Sequence, residues 1–413
     1  MSGRGTMREV TETAATTSAD RSAVISLGLL GALAFLVSAD ARVMDPLLPV
    51  IAADFRTSIA GAGLVVTGYT IPYGLFQLLY GPLGDRAGKL RVMGAALAVF
   101  AVGTAACGLA SSLPLLVFLR FLTGMTAAAI IPLTLAYIGD NYPYRDRQAA
   151  IGRYLTAIAL GQILGTSLGG TVADVISWRS IFLAYGLASL ALAAVFWRAT
   201  RTESTTDPLT PTARGPLISV LPYRRLLRQP MPRRVLAAVF VEGFCFSGGF
   251  VYLGASLRDR FDLAYAAIGA ILAGFGVGAL IYSRAVPHLL GRLGERGLVL
   301  LGGSLVGTCL IGLATIDGWL PAIPLVVVTG IGFYAIHGTL QTKATELAPG
   351  ARGTAVSAFA FCLFVGQGLG AAAFGRLVER TGYDTAFVVS GLTVAALAAV
   401  FATRVLRPSS VMT

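Results

Sequence analysis

The chain has 413 residues, of which 55% are hydrophobic and only 13% are charged, and its mean hydropathy is +0.76. A soluble protein cannot bury that much apolar surface in its core, so the composition excludes a soluble globular protein and predicts a membrane protein. The formal net charge of +12 requires no nucleic-acid partner, because arginines that face the cytoplasm and anionic lipid explain most of it.

Apolar segments alternate with polar turns along the chain. Most of these segments are long enough to cross about 30 Å of hydrocarbon as a helix that rises about 1.5 Å per residue. The sequence therefore predicts an all-α membrane protein with twelve transmembrane helices in two pseudo-symmetric six-helix bundles. The predicted spans cover 23–52, 59–80, 91–110, 114–138, 149–172, 180–198, 234–256, 266–286, 298–314, 321–343, 353–375 and 384–404.

Basic residues are distributed unevenly between the two predicted sides of the membrane. With twelve spans, 24 of the 32 Lys and Arg residues fall in or beside cytoplasmic segments, and six fall in outer loops. Because cytoplasmic loops collect Lys and Arg, this distribution predicts that both termini are cytoplasmic. Residues 1–22 form a polar tail without the apolar run of a cleaved signal, and 405–413 form a second tail. We expect a multi-pass protein of the inner membrane.

A proline-rich segment divides the chain into two similar halves. Residues 199–233 are predicted to be a cytoplasmic linker between an N-terminal bundle, 23–198, and a C-terminal bundle, 234–404. An internal repeat with an offset of about 205 residues supports the division. It pairs Gly161 with Gly366, Gln162 with Gln367, Gly165 with Gly370 and Gly170 with Gly375. Repeated halves predict a substrate site near the membrane midplane between them.

The polar turn after the second span carries Gly81, Asp85, Arg86, Gly88 and Lys89. It resembles the loop motif G-x-L-x-D-R-x-G-R/K-K of the major facilitator superfamily. The resemblance implies that the acid stabilises the outward-facing state through contacts across the two halves. A solvent-exposed turn acid is the alternative.

The next predicted cytoplasmic loop contains Asp140, Arg145 and Arg147, which either extend this charge network or are ordinary cytoplasmic charge. The repeat aligns Asp85 with Gly291, so the second half lacks the acid at this position. A latch that depends on Asp85 is therefore expected on one side only.

Charged residues inside the first and fourth spans need partners, because an unpaired charge in the membrane is costly. Counting residues from the outer boundary places Asp45 at the same depth as Arg120, which makes it a candidate partner. Alternatively, Asp45 neutralises Arg42, three residues earlier on the same helix face. Asp40 and Asp45 are both candidates for a carboxyl that exchanges protons. Asp40 is the better candidate, because it lies deeper and has no local partner.

Two further segments resemble motifs of the same superfamily. Arg120 stands where the fourth-helix motif L-x-x-x-R-x-x-Q-G has its arginine, although Thr123 replaces the glutamine, and the resemblance implies a role in proton coupling. The fifth span resembles the antiporter motif G-x-x-x-G-P-x-x-G-G, with Thr166 in place of the proline. Its small residues alone predict close packing against a neighbouring helix: Gly161, Gly165, Gly169 and Gly170.

Polar residues in other spans are candidates for proton exchange and for a cavity. Glu242 in the seventh span should be protonated, bind a cationic substrate, or reach the cytoplasmic interface. His337 in the tenth span is either a proton relay or a satisfied hydrogen-bonding residue. The predicted cavity residues are Arg42, Tyr69, Tyr73, Gln77, Gln162, Tyr334, His337, Gln341 and Gln367.

No pattern predicts an enzyme, a cofactor or a metal. The segment from Gly84 to Lys89 has the form G-x-x-x-G-K, which is one residue too short for a phosphate-binding loop, and Leu90 stands where Ser or Thr is needed. The four cysteines lie in apolar spans at unrelated spacings and read as small core residues: Cys107, Cys245, Cys309 and Cys362.

Taken with the resemblance, these features lead us to expect a proton-coupled antiporter of drugs or small organic compounds, most similar to the twelve-helix drug/proton branch of the superfamily. The expected partners are a small-molecule substrate, protons and the lipid bilayer, with no nucleic acid, and we expect a monomer. A proton-linked transporter of a metabolite, sugar or organic anion would use the same fold, with Arg42 or Arg120 facing the substrate. A non-transporting membrane receptor or assembly protein is the alternative from another class.

Overall fold

A computed structural model describes residues 25–203, 220–348 and 352–406. The predicted tail 1–22, the middle of the predicted linker 199–233 and most of the predicted tail 405–413 lie outside the described residues. Within the described ranges the chain is helical and contains no β-strand.

The N-terminal helices occupy residues 25–203. They are α1 (Leu27–Arg42), α2 (Leu48–Asp54), α3 (Ile59–Ala87), α4 (Lys89–Cys107), α5 (Leu113–Ala127), α6 (Ile130–Asn141), α7 (Tyr144–Val175) and α8 (Trp178–Glu203). Three of them begin at a serine whose hydroxyl accepts a hydrogen bond from a backbone N–H of the first turn: Ser26 for α1, Ser58 for α3 and Ser112 for α5. These caps explain why the helices start there.

The C-terminal helices occupy residues 220–406. They are α9 (Val220–Arg228), α10 (Pro230–Glu242), α11 (Gly248–Phe250), α12 (Leu253–Phe261), α13 (Tyr265–Thr315), α14 (Ala322–Glu346), α15 (Arg352–Thr381) and α16 (Tyr383–Arg404). A π-helical turn, Gly243–Ser247, joins α10 to α11.

The first predicted span, 23–52, is interrupted. Helix α1 ends at Arg42, residues 43–47 form turns, and α2 begins at Leu48. Pro46 explains the interruption, since it has no N–H to donate and its ring clashes with the carbonyl four residues earlier. The break places Asp45 outside both helices.

Helix α13 contains a sharp bend. Its 51 residues include Gly294, whose φ of 62° and ψ of 176° are not helical, so two helices meet there. Gly88, which joins α3 to α4, also has a positive φ, of 88°. Gly294 lies 206 residues after Gly88, so the predicted repeat has a matching left-handed glycine in each half.

Ten helical segments of the described residues are long and apolar enough to cross a membrane. The broken first span is not among them, and α13 counts once although it covers the eighth and ninth predicted spans. The all-helical prediction is confirmed, whereas the number of crossings stays a prediction.

Buried apolar residues form one core among the N-terminal helices and another among the C-terminal helices. A third cluster contains residues of both sets, including Leu47 and Val251. It lies toward the Arg56 end, which we define by the connections at 55–58, 108–112, 176–177, 262–264, 316–321 and 382. The opposite Gly88 end has connections at 88, 142–143 and 294. Helices α3 and α7 pack against α15 and α13 across the two sets.

Candidate functional site

A cavity of about 230 Å³ lies between the N-terminal and C-terminal helices. Of the nine predicted cavity residues, seven line it: Arg42, Tyr69, Tyr73, Gln162, Tyr334, His337 and Gln367. The other two do not, because Gln77 is buried elsewhere on α3 and Gln341 is exposed. Gln77 and Gln341 each lie one turn beyond a lining residue, Tyr73 or His337, on the same face of the helix. Their position along the helix, closer to the Gly88 end, explains why they do not line the cavity.

Four phenylalanines also line the cavity, which the sequence did not predict. Phe246, Phe250, Phe333 and Phe364 contribute to the cavity wall. The ring centroids of Phe246 and Phe333 are 4.5 Å apart, and that of Phe364 is 4.3 Å from that of Tyr73. Phenylalanine in an apolar span carries no signal that separates a cavity wall from a lipid-facing surface. The cavity therefore combines apolar ring faces with a few polar groups, as small-molecule sites do.

One hydrogen bond crosses this cavity between the two sets of helices. The hydroxyl of Tyr334 on α14 donates to Oε1 of Gln162 on α7, at 3.3 Å. Both residues belong to the lining, so a bound molecule would contact both sets of helices at this point.

Arg120 forms a fully buried ion pair with Asp40. Its Nη1 lies 2.8 Å from Oδ2 of Asp40, and Nη2 donates to the Asp40 backbone carbonyl at 3.3 Å. The two side chains are 1% and 0% exposed. The guanidinium also lies 4.1 Å from the centroid of the Tyr69 ring, a cation–π contact that places Tyr69 between the ion pair and the cavity.

Asp40, which has no local partner on its own helix, thus pairs with Arg120 on α5, and the prediction of Asp45 as the partner of Arg120 is wrong. Asp45 lies 3.6 Å from Nη1 of Arg42, which was the alternative, and both residues line the cavity. Counting depth along a continuous helix misled the prediction, because the chain leaves α1 after Arg42.

Glu242 and His337 form a second buried pair. Oε2 of Glu242, at the end of α10, lies 3.0 Å from Nδ1 of His337 on α14. Glu242 is fully buried, so the carboxylate reaches neither the membrane interface nor the cavity directly. His337 lines the cavity and stacks on Phe333 with ring centroids 5.2 Å apart. The sequence identified each residue as notable but not that they are paired.

The charged residues of the predicted loop motif form a local network at the Gly88 end. Nζ of Lys89 lies 2.7 Å from Asp140 and 3.5 Å from Asp85. A guanidinium nitrogen of Arg147 donates to the Tyr142 carbonyl at 3.2 Å. The described ion pair of Asp85 is thus within the N-terminal helices. The side chain of Arg145 lies outside the described residues.

A similar network occurs among the C-terminal helices, although Gly291 replaces the acid at the position equivalent to Asp85. Nζ of Lys343 lies 3.0 Å from Glu295, in the bend of α13, and 3.1 Å from Glu346. In both networks one lysine bridges an acid close to the left-handed glycine, Asp85 or Glu295, and an acid at the end of another helix. The sequence comparison did not predict this because the lysine stands on a different element in each half.

The glycines of α7 allow close approach of two helices. Built Cβ atoms on Gly161 and Gly165 would lie 2.4 Å from the backbone oxygens of Phe35 and Ala39, and one on Gly169 would lie 2.8 Å from Val43. All three contacts are with α1 or the residue that follows it. Gly170 instead faces the C-terminal helices, where a Cβ added to it would lie 2.1 Å from the backbone oxygen of Tyr265.

Replacing Gly165 with alanine is expected to lower the free energy of unfolding by about 1–3 kcal/mol, because the methyl group forces α1 and α7 apart. Gly152→Ala is the matched control on the same helix, since nothing lies within 4 Å of its built Cβ. The control should stabilise the helix by up to about 1 kcal/mol. Denaturant unfolding in detergent measures both changes, and equal stability of the two variants would contradict the close packing.

Comparisons with known proteins agree with this architecture. The sequence profile of the Major Facilitator Superfamily matches residues 30–371. The chain belongs to the major facilitator superfamily. It is therefore a multi-pass membrane transporter and not an enzyme.

Two relatives and one solved structure illustrate the similarity. The uncharacterized MFS-type transporter YceJ of Bacillus subtilis is 28% identical over 84% of this transporter and 87% of its own length. The multidrug export protein EmrB of Escherichia coli is 28% identical over 41% of this chain and 34% of its own length. The crystal structure of a bacterial homolog of the human lysosomal transporter Spinster has a TM-score of 0.67 and 19% identity, over 93% of this transporter and 96% of that chain.

Proposed function

We propose that this transporter exports drugs or small organic compounds by proton antiport with alternating access. The observation that carries the proposal is the cavity between the two sets of helices, whose wall includes aromatic rings and His337. The Arg120–Asp40 pair and the carboxylate of Glu242 are buried behind this wall. The partial similarity to EmrB supports the export of drugs.

The proposed topology has twelve crossings in two six-helix bundles, with residues 199–233 as the cytoplasmic linker. Helices α1 and α2 together form the first crossing, and α13 forms two, because 51 residues would extend to about 75 Å as one straight helix. The Arg56 end then faces outward and both termini are cytoplasmic, in agreement with the distribution of Lys and Arg. We propose a monomer in the inner membrane.

Among the proton-coupling candidates, we assign proton exchange to Glu242 with His337. A lone buried carboxylate is costly, so this pair is stable when a proton is shared across the 3.0 Å contact. His337 lines the cavity, and Oε1 of Glu242 has no hydrogen-bond partner among the described residues. A proton can thus pass from the cavity through His337 to the carboxylate behind it.

Asp40 and Arg120 have a different role in this proposal, contrary to the ranking that the sequence favoured. Arginine is permanently charged, so protonation of Asp40 would leave a buried guanidinium without its counter-ion. We therefore assign this pair to the positioning of α1 and Tyr69 at the cavity wall. Asp45 and Arg42, which face the cavity, are assigned to contact with the substrate.

A proton-linked transporter of an organic anion is the second candidate. The guanidinium of Arg42 in the cavity lining favours it, since this cation could bind a carboxylate or phosphate of the substrate. The ion pair with Asp45 argues against it, because Asp45 already neutralises that charge.

Energised inside-out vesicles that contain the purified transporter test the proposal. We expect a lipophilic cation or a neutral drug to cause proton release from the acidic lumen, detected with a pH-sensitive dye. Vesicles without the protein should give no release. A response restricted to organic anions or sugars would support the second candidate, and no response to any compound would overturn proton antiport.

A further inference from the structure

Two carboxylates at the Arg56 end connect the N-terminal helices to the C-terminal helices. Asp174, in the last turn of α7, accepts hydrogen bonds from the backbone N–H groups of Tyr265 at 3.0 Å and Ala266 at 2.6 Å. These are the first two residues of α13. Its N-cap residue, Ala264, has no side chain that can cap the helix, so Asp174 caps α13 from the other set of helices.

The second carboxylate makes the same kind of contact in the opposite direction. Oε1 of Glu379, near the end of α15, accepts a hydrogen bond from the backbone N–H of Ala60 at 3.2 Å. Ala60 lies in the first turn of α3. A C-terminal helix thus supplies a carboxylate to the start of an N-terminal helix.

The internal repeat relates these two contacts residue by residue. Glu379 lies 205 residues after Asp174, and Tyr265 lies 205 residues after Ala60. The same offset relates Gln162 to Gln367 in the cavity. The two contacts are therefore equivalent positions of the duplicated fold, and a chance surface contact would not be expected twice.

A glycine one turn before each carboxylate brings the helices together. A Cβ on Gly170 would lie 2.1 Å from the backbone oxygen of Tyr265, and one on Gly375 would lie 2.9 Å from Cα of Ala60. Each half thus carries a glycine followed four residues later by an acid. The glycine permits close approach of the two sets of helices, and the acid then binds the helix N-terminus that the approach brings near.

We propose that Asp174 and Glu379 are a pair of latches that hold the Arg56 end closed. The start of a helix carries partial positive charge and free N–H groups, so a carboxylate stabilises it. Because each carboxylate and its helix belong to different sets, both contacts break when the sets separate at this end. The inference rests on the proposed alternating access, in which opening this end exposes the cavity to the outside.

Distances between two spin labels at the Arg56 end test the latches. One label is attached to the cysteine of Ser111→Cys on the N-terminal side and the other to that of Asp317→Cys on the C-terminal side. Both positions are exposed. Cys362→Ala removes the half-buried native cysteine, and the other three are buried. Pulsed electron–electron double resonance in lipid nanodiscs then gives the distribution of distances between the labels, and hence the ratio of open to closed conformations.

We expect Asp174→Asn and Glu379→Gln each to raise the open-to-closed ratio by about threefold to tenfold, since the carboxylates are exposed and partly screened. The double variant should raise it by about the product of the two, because both contacts act on one equilibrium. An unchanged ratio in the double variant would overturn the proposal. Glu379→Gln should leave the fold intact, because the Ser58 hydroxyl still caps α3.

Asp54→Asn is the matched control at the same end. The Asp54 carboxylate forms an ion pair with the Arg179 guanidinium, so the substitution removes one negative charge as the latch variants do. This ion pair lies within the N-terminal helices and should leave the ratio unchanged. A shift as large as that of the latch variants would attribute the effect to surface charge and overturn the proposal. The measurement needs neither substrate nor proton gradient, so its result is independent of the vesicle experiment.

Discussion

Replacing Arg120 with methionine is expected to abolish coupled transport and to lower the free energy of unfolding by about 3–5 kcal/mol. Methionine fills a similar volume but leaves Asp40 as a fully buried carboxylate without its counter-ion. Proton release from vesicles measures transport, and denaturant unfolding in detergent measures stability. The combined variant Asp40→Asn and Arg120→Met removes both charges, so it should recover part of the stability without recovering transport.

Arg179→Met is the matched control for this prediction. Arg179 also pairs with an aspartate, Asp54, and lies over an aromatic ring, Trp178, at 4.3 Å. Its side chain is 33% exposed, so its ion pair should contribute at most about 1 kcal/mol. If Arg179→Met and Arg120→Met unfolded alike, burial would not be what gives the Asp40 pair its importance.

The cost of a buried charge explains how much of this site could be predicted from the sequence. It indicated that Arg120 faces protein and has a partner on another helix, and both statements agree with the structure. The sequence could not identify Asp40 as that partner, because helix rotation decides which side Asp40 faces and the break near Pro46 takes Asp45 out of the helix. The partner of Glu242 was missed because α10 and α14 are distant in sequence.

Local features were predicted more completely than contacts between helices. Long apolar runs were sufficient for the all-helical membrane fold, and the small residues of α7 were sufficient for close helix packing. The aromatic wall of the cavity was not predictable, since the spans of Phe333 and Phe364 carry apolar residues on several faces and nothing marks the face that lines the cavity. Asp174 and Glu379 do carry a signal, the spacing of an acid four residues after a glycine at the repeat offset.

Replacing Glu242 with glutamine is expected to reduce substrate-induced proton release to the level of vesicles without protein. Glutamine keeps the shape and the hydrogen bond to His337 but cannot carry the proton. Equilibrium binding of a fluorescent lipophilic cation should change little, because Glu242 lies behind the cavity wall and does not line it. Loss of binding together with transport would contradict the assignment of Glu242 to proton exchange.

The two histidines of the chain provide a matched pair for the same prediction. His337→Asn should also uncouple transport, whereas His288→Asn, at an exposed position of α13, should retain wild-type proton release. Wild-type proton release by His337→Asn would contradict the shared role of Glu242 and His337 in proton exchange.

The π-helical turn Gly243–Ser247 follows Glu242 directly, and it gives α10 one residue more than an α-helix would accommodate. Each residue of an α-helix turns the chain by about 100°, so moving this extra residue toward the N-terminus would swing Glu242 away from His337. The position of this extra residue thus sets the rotation of Glu242 toward the cavity-lining histidine, relative to the helix that follows.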